Sequence, residues 1–157
     1  MRVGWGFDAH RFSPSGKVLL AGVVVDATRG VEATSDGDVA AHAVIDALLG
    51  AAALGDLGTH YPSNDPAWEG ADSMALLADT VGRLEAAGFA PSSVDVTVVA
   101  ETVRVAPHRQ EIRDSLAAAL GLARDVVSVK ATTTDGMGFL GADEGIAASA
   151  VAVVVEG

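Results

Sequence analysis

Apolar positions recur along the chain with two spacings, at every second residue in some stretches and at every third or fourth in others. The first spacing is typical of strands and the second of helices. Strands are predicted at 2–12, 17–25, 94–101, 126–134 and 146–156. Helices are predicted at 38–54, 72–87 and 107–120. The pattern indicates one α/β domain over residues 1–157, with a mixed sheet packed against helices.

Local signals mark where several of these elements begin and end. "SPSG" at 13–16 predicts a turn, and the Gly, Pro, Asn and Asp residues of 55–70 predict a loop. Ser35 and Asp38 have capping-box spacing ahead of the first helix. The strand at 146–156 is small and apolar almost throughout, so we expect cover on both of its faces. Another copy of the chain could supply part of that cover.

Charge and composition narrow the classes of partner. The formal net charge of −11 argues against nucleic acid and anionic membranes, and an anionic substrate would need local neutralisation. The absence of cysteine excludes thiolate sites and leaves histidine and carboxylate as metal ligands. No apolar run reaches about 18 residues, and the chain opens on a strand pattern. We therefore expect a cytoplasmic protein without a membrane span or signal peptide.

Five polar residues stand in apolar surroundings in the first third of the chain. Asp8 and His10 are two residues apart in a predicted strand, so their side chains share a face. His42 lies in the first predicted helix, with Asp38 and Asp46 one turn before and after it. Asp8, His10 and His42 offer one oxygen and two nitrogens with room for a fourth group, as in catalytic zinc sites. Asp46 or Asp38 could accept the second N–H of His42 behind the metal.

Other interpretations fit the same residues. A two-histidine, one-carboxylate iron site has this donor set. Asp36 and Asp38 could instead only cap the helix, and His42 could be a hydrogen-bonded core histidine. "KATTTDGMGF" at 130–139 offers hydroxyls, N–H groups and Asp135 for phosphate or for a hard cation such as Mg²⁺. The alternative for this segment is a strand that ends in a glycine turn.

Several segments together resemble one enzyme family. They are "GFDAH", "SDGDVAAHAVIDALLGAAALGDLG", "YPSNDPAWEGADS", "DVTVVAE" and "VKATTTDGMGF" followed by "EGIA", in order along the full chain. This combination is similar to the 2-C-methyl-D-erythritol 2,4-cyclodiphosphate synthases. The resemblance implies an α/β fold, assembly as a homotrimer, and active sites between neighbouring subunits.

The resemblance also implies a reaction in non-mevalonate isoprenoid biosynthesis. In this family the 2-phosphate of 4-diphosphocytidyl-2-C-methyl-D-erythritol 2-phosphate attacks the β-phosphate of its own diphosphate. CMP leaves, and 2-C-methyl-D-erythritol 2,4-cyclodiphosphate forms. No protein nucleophile is needed, and two divalent cations would explain how a chain with a net charge of −11 binds a polyanion.

Position by position, the resemblance implies roles for individual residues. Asp8, His10 and His42 would bind Zn²⁺ or another divalent metal, and Asp135 would hold Mg²⁺ or Mn²⁺ with the substrate diphosphate. Thr34 and Thr133 would occupy the positions that support the transition state. The residues expected to contact substrate are Asp8, Ala9, His10, Thr34, Ser35, Asp56, Leu57, Gly58, Tyr61, Pro62, Ser63, Asp65, Ala100, Arg104, Val105, Ala106, Thr132, Thr133, Thr134, Asp135 and Phe139.

The chain departs from the family pattern at three positions. Thr34 stands where a histidine that contacts the diphosphate is usual, and Ala142 where an arginine is frequent. Val103 replaces a common proline in the segment expected to line the cytidine pocket. These differences leave the metal ligands in place. They keep a second hypothesis open, a catalytically weak homologue that binds a nucleotide or an isoprenoid diphosphate.

Overall fold

Seven strands and five α-helices make up the fold, which a computed structural model describes for all residues 1–157. The strands are β1 Arg2–Ser13, β2 Val18–Leu20, β3 Val23–Asp26, β4 Gly30–Val31, β5 Phe89–Val99, β6 Val127–Thr132 and β7 Gly145–Glu156. The helices are α1 Val39–Ala52, α2 Leu57–His60, α3 Ser73–Ala86, α4 Arg109–Leu120 and α5 Gly138–Gly141. None of the helices combines the length and apolar character needed to cross a membrane.

A five-stranded mixed sheet forms the centre, in the order β4-β1-β7-β5-β6, and β2 and β3 form a separate hairpin. β7 is antiparallel to both β1 and β5, and β6 is parallel to β5. The strands β1, β5 and β6 therefore run in one direction, and their carboxyl ends meet at one edge of the sheet. The α/β class with a mixed sheet packed against helices is confirmed.

The helices α1, α3 and α4 cover one face of the sheet. On this side the β7 residues Ala148 and Ala152 are fully buried. The opposite face is open in a single chain, and Trp5 and Phe7 of β1 are 65% and 46% exposed there. The expectation that the last strand is covered on both faces is therefore met on one face only within this chain.

The predicted strand at 17–25 is instead a hairpin, because the chain reverses at Ala21 and Gly22. Both residues have positive φ, 49° and 77°. Two consecutive positive φ values are typical of the two-residue turns whose twist matches that of paired strands. Alanine rarely adopts this conformation, so its position inside an apolar run concealed the turn.

Other boundaries differ in smaller ways. β5 begins at Phe89, five residues before the predicted start, and contains an irregularity between Pro91 and Ser93. The segment expected to be loop, 55–70, contains α2 and a short 3₁₀ turn at Pro66–Trp68. The third predicted helix begins with a 3₁₀ turn at Ala106–His108 and continues as α4.

Asp38 is the N-cap of α1, so the capping box expected from Ser35 does not form. Its carboxylate accepts a hydrogen bond from the backbone N–H of Ala41, inside the helix. It also accepts from the N–H groups of Ala21 and Gly22 at 2.9 and 2.7 Å, which fixes the hairpin turn against the helix. Burial raises the pKa of Asp38, and these three N–H donors oppose that rise.

α1 lies unusually close to β1, and two glycines make this possible. A Cβ atom on Gly6 would lie 2.1 Å from the carbonyl oxygen of Ala43, and one on Gly4 would lie 1.9 Å from that of Ala47. Both contacts are far inside van der Waals distance and involve backbone atoms that cannot move alone. Any residue with a Cβ at these positions therefore forces the helix away from the strand.

We expect Gly6→Ala to destabilise the fold by about 3 kcal/mol, because the added methyl meets the α1 backbone. The matched control is Gly50→Ala on α1 itself, where an added Cβ meets nothing within 4 Å. This control should be neutral or stabilising by roughly 0.5–1 kcal/mol through helix propensity. Urea unfolding followed by circular dichroism measures both. Equal stability of Gly6→Ala and the parent chain contradicts the close approach.

Candidate metal centre and cleft

The face of β1 that carries Gly4 and Gly6 continues to Asp8 and His10, because alternate residues of a strand share a face. His42 stands in the first turn of α1 and meets this face. The Asp8 Oδ2 atom lies 2.8 Å from His42 Nδ1 and 3.0 Å from His10 Nε2. Ligand atoms of the three side chains all lie within 4.8 Å of one another. This group could hold a metal ion, as the sequence predicted.

Asp8 and His10 stabilise each other's charged form. Burial alone would raise the pKa of Asp8, but the contacts with His10 and His42 lower it to about 2. Burial alone would lower the pKa of His10, and the Asp8 carboxylate outweighs it and raises the pKa above the usual value. Asp8 is therefore an anion at any physiological pH, as a metal ligand must be.

The second ring nitrogen of His42, Nε2, lies within hydrogen-bond distance of two serine hydroxyls. Nε2 lies 2.7 Å from the hydroxyl of the buried Ser73 and 3.2 Å from that of Ser35. The Ser73 hydroxyl donates to Asp36 Oδ1, so it is free to accept the proton of His42 Nε2. With its proton on Nε2, His42 directs the lone pair of Nδ1 toward Asp8. Nδ1 and the Asp8 oxygen, which lie 2.8 Å apart, could then both bind a cation.

The His10 ring also fits a metal ligand. Its Nε2 atom is buried and has no aligned hydrogen-bond partner, although Asp8 is near. A buried polar atom without a partner costs free energy, and a bound cation would satisfy it. The donor set of two imidazoles and one carboxylate suits Zn²⁺ and other first-row divalent metals.

The two carboxylates expected behind the metal lie elsewhere. The carboxylate of Asp38 accepts from the three backbone N–H groups described above and makes no hydrogen bond to the His42 ring. Asp46 accepts from the backbone N–H of Leu57 at 2.7 Å, which ties the start of α2 to α1. It lines the cleft beside Asp8 and His42, and burial raises its pKa. Ser73, rather than Asp38 or Asp46, makes the supporting hydrogen bond to His42.

Two adjoining cavities open at the metal group. One, of about 160 Å³, is lined by Asp8, His10, Thr34, Ser35, His42, Leu57, Tyr61, Ser63, Trp68 and Leu76. The other, of about 280 Å³, is lined by Asp8, His42, Asp46, Asp56, Leu57 and Gly58. They share Asp8, His42 and Leu57, so they form one cleft. Its charged walls are acidic, and a polyanion could enter only together with cations.

Other predicted residues line further cavities. Ala9 and Phe139 lie beside His10 in a small cavity, and Asp65 lies with Thr34 and Ser63 at the rim of the cleft. A separate cavity of about 380 Å³ is lined by Ala100, Glu101, Val103, Arg104, Val105, Ala106, Arg109, Ala131, Thr132 and Thr133. It shares no lining residue with the metal cleft. We name it the 100–106 cavity.

The predicted contacts Pro62, Thr134 and Asp135 lie on loops. Pro62 follows α2, next to the cleft residues Tyr61 and Ser63. Thr134 and Asp135 follow β6, where the Thr134 hydroxyl donates to the carbonyl of Met137 at 2.6 Å. Asp135 is exposed, has a φ of 52°, and does not belong to the Asp8, His10 and His42 group. A cation at Asp135 would therefore form a second centre.

Sequence reasoning missed Ser73 and the apolar wall formed by Trp68 and Leu76. Ser73 directly follows Asp72, which caps α3 by accepting from Met74 N–H. The pair therefore has the signature of a helix start, and nothing local points to a histidine 31 residues earlier. The sequence indicates Asp36 only as a possible helix cap, whereas its carboxylate accepts from both the backbone N–H and the hydroxyl of Ser73.

Fold and site define a class of protein: a small α/β chain with a two-histidine, one-carboxylate centre on the floor of an acidic cleft. The chain matches the family model described as the YgbB family over residues 1–155, and it belongs to that family. A relative from Salinibacter ruber, named 2-C-methyl-D-erythritol 2,4-cyclodiphosphate synthase, is 52% identical over 154 residues, 98% of each chain. The family predicted from the motifs is therefore confirmed.

Solved structures show the same fold. A CDP-bound form of 2C-methyl-D-erythritol-2,4-cyclodiphosphate synthase matches with a TM-score of 0.89 at 32% identity, covering 98% of this chain and 100% of that one. The bifunctional IspDF of Campylobacter jejuni matches with a TM-score of 0.96 at 38% identity. That match covers 99% of this chain, which spans only 42% of the longer protein.

We expect His42→Ala to lose a divalent cation bound at this centre while the chain stays folded. The matched control is His60→Ala, because His60 contacts the carbonyl of Leu54 outside the metal group. Elemental analysis after loading with Zn²⁺ measures the bound metal, with about one ion expected per parent chain. Full occupancy in His42→Ala contradicts the assignment.

The same measurement has a predicted dependence on pH. Because Asp8 raises the pKa of His10, protons compete with the cation at higher pH than they would at an isolated histidine. Occupancy should therefore fall as the pH is lowered through the neutral range.

Proposed function

We propose that this chain converts 4-diphosphocytidyl-2-C-methyl-D-erythritol 2-phosphate to 2-C-methyl-D-erythritol 2,4-cyclodiphosphate and CMP. An oxygen of the 2-phosphate attacks the β-phosphorus, and the bond from that phosphorus to the oxygen bridging to the α-phosphate breaks. CMP leaves with the bridging oxygen. The observation that carries the proposal is the Asp8, His10 and His42 group at the floor of the cleft, in a chain 52% identical to a named synthase over nearly its full length.

The nucleophile and the leaving group both belong to the substrate, so the protein supplies position and charge. When bound, Zn²⁺ at Asp8, His10 and His42 and Mg²⁺ or Mn²⁺ at Asp135 supply positive charge that offsets the phosphates. Ser73 holds His42 in the tautomer that such a site requires. The acidic wall formed with Asp46 and Asp56 keeps the phosphates near the cations, because it repels them elsewhere.

The rest of the cleft suits the methylerythritol part of the substrate. Asp56 offers a carboxylate to its hydroxyls, while Leu57, Tyr61 and Leu76 offer apolar surface. Thr34 lies at the entrance, exposed and next to the metal group, where its hydroxyl can donate to a phosphate oxygen.

The 100–106 cavity suits the cytidine. Its lining combines residues of the 100–106 segment with Thr132 and Thr133, whose hydroxyls can bind polar groups of a nucleoside. The Thr133 hydroxyl also accepts from the backbone N–H of Asp135 at 3.2 Å, so it links the nucleoside end to the second cation. A related synthase structure is described as a CDP-bound form, which supports a cytidine nucleotide as ligand.

We also propose assembly as a homotrimer, with the metal cleft of one subunit beside the 100–106 cavity of the next. The two half-sites share no residue within one chain, so a second copy can bring them together. The helix-free face of the sheet exposes Val3, Trp5, Phe7 and Val151, and the Trp5 and Phe7 rings stack with centroids 6.1 Å apart. An apolar face of this kind marks an interface.

The expected cytoplasmic location stays a prediction.

Release of CMP from the authentic substrate tests the activity. We expect turnover with Zn²⁺ and Mg²⁺ present and none in metal-free protein. Losing one donor to a developing oxyanion costs on the order of 10²-fold in rate, so Thr34→Val should slow CMP release by up to that factor. Thr34→His, with a longer donor, should raise it.

The outcomes separate the two functional hypotheses. Binding of substrate without CMP release indicates a catalytically weak homologue and overturns the proposed synthase. Unchanged rates in both Thr34 variants would instead leave the synthase standing and remove Thr34 from its catalytic contacts.

Sedimentation equilibrium tests the assembly, and we expect roughly three times the chain mass of 15.8 kDa. Trp5→Glu should dissociate the trimer, because it places a charge on the exposed apolar face. Val126→Glu is the control, since Val126 is similarly apolar and 39% exposed but lies in a turn away from β1. An active monomer contradicts the shared site.

A further inference from the structure

The segment 100–106 has no regular hydrogen bonding of its own. It leaves β5 at Val99 and reaches the 3₁₀ turn at Ala106–His108 without a helix or strand between them. Its backbone is tied at the start, where Ala100 N–H donates to the carbonyl of Thr132. Val103 and Val105 are buried. Between these anchors the conformation depends on side-chain contacts.

Thr102 supplies that contact, and it points away from the 100–106 cavity. Its neighbours Glu101 and Val103 line the cavity, whereas the Thr102 hydroxyl lies 2.5 Å from an Arg29 nitrogen and 2.9 Å from both carboxylate oxygens of Asp143. The hydroxyl accepts from the guanidinium and donates to the carboxylate. Both of its hydrogen-bonding roles are therefore used.

Arg29 is itself held in one orientation. It donates to Asp26 at 3.1 Å and to Asp143 at 2.8 Å, and its guanidinium lies 3.7 Å from the centroid of the Phe12 ring. Burial opposes the charge, but the two carboxylates raise the pKa of Arg29 above its usual value. A single exposed ion pair contributes little, whereas a planar cation fixed by a ring and two carboxylates has a defined position.

Asp143 brings a third segment to the same point. It follows α5 in the left-handed conformation, with a φ of 57°, and its N–H donates to the carbonyl of Leu140. The next residue, Glu144, accepts from the N–H of Phe12 at 3.0 Å. Arg29, Thr102 and Asp143, which we call the clamp, thus join the 100–106 segment to the end of β1 and to the turn after α5.

We propose that the clamp is a positioning element that sets the affinity of the 100–106 cavity for a cytidine nucleotide. This inference rests on the proposed function, which places the nucleoside in that cavity. None of the three side chains lines the cavity. They act through the backbone on either side of Thr102, because holding its hydroxyl fixes where Glu101 and Val103 lie. A loop ordered in advance does not have to be ordered by the ligand.

Thr102→Val and Thr102→Ser test the clamp directly. Valine keeps the shape of threonine and loses the hydroxyl, whereas serine keeps the hydroxyl. We expect the dissociation constant for CDP, measured by calorimetry on the metal-loaded protein, to rise about tenfold in Thr102→Val and to stay within about twofold in Thr102→Ser. Bound zinc and the circular dichroism spectrum should be unchanged in both, because Thr102 is exposed and does not belong to the metal group.

A second pair of variants separates the clamp from a general loss of surface charge. Arg29→Met should weaken CDP binding as Thr102→Val does. Arg124→Met, which breaks the exposed pair with Asp114, should not. If Thr102→Val binds CDP as the parent does, or if serine fails to restore binding, the clamp proposal is wrong and the proposed function stands. If the parent protein does not bind CDP, the assignment of the cavity fails and the clamp proposal fails with it.

Discussion

The backbone of α1 rests directly on β1, and this contact decides where the chemistry lies. Gly4 and Gly6 let the helix approach the strand to a distance that a single methyl group would prevent. The same face of β1 then presents Asp8 and His10 to the first turn of the helix, where His42 lies. The three ligand atoms converge because alternate residues of β1 share a face, and that face packs against the first turn of α1. The site is a product of backbone packing.

The negative charge of the chain explains why the site requires cations. The chain is acidic overall, with a formal net charge of −11, and its metal cleft is lined by Asp8, Asp46 and Asp56. Such a surface repels a diphosphate unless cations accompany it. The carboxyl ends of β1, β5 and β6 meet at one edge of the sheet, so the metal ligands and the loops beyond Val99 and Thr132 emerge on the same side. The clamp joins the end of β1 to the 100–106 segment.

Sequence reasoning succeeded where a signal is local and failed where it is not. The helix containing His42 was predicted from the capping signal ahead of it, and the metal group from two residues on one strand face and a third on that helix. The hairpin at Ala21 was missed because an alanine with positive φ looks like any other apolar residue. Asp38 was expected behind the metal, but three backbone donors take its carboxylate. The Thr102 hydroxyl meets partners 73 and 41 residues away, and no spacing rule connects them.

The position of β7 has a consequence for how the chain reaches this structure. β7 comes last along the chain, yet it lies between β1, which comes first, and β5. Synthesis proceeds from the amino end, so the two halves of the sheet cannot join until the final strand leaves the ribosome. Until then α1 lacks its packing against β7. Closure of the sheet therefore waits for the synthesis of β7, and the apolar residues that β7 covers stay exposed on the nascent chain until it arrives.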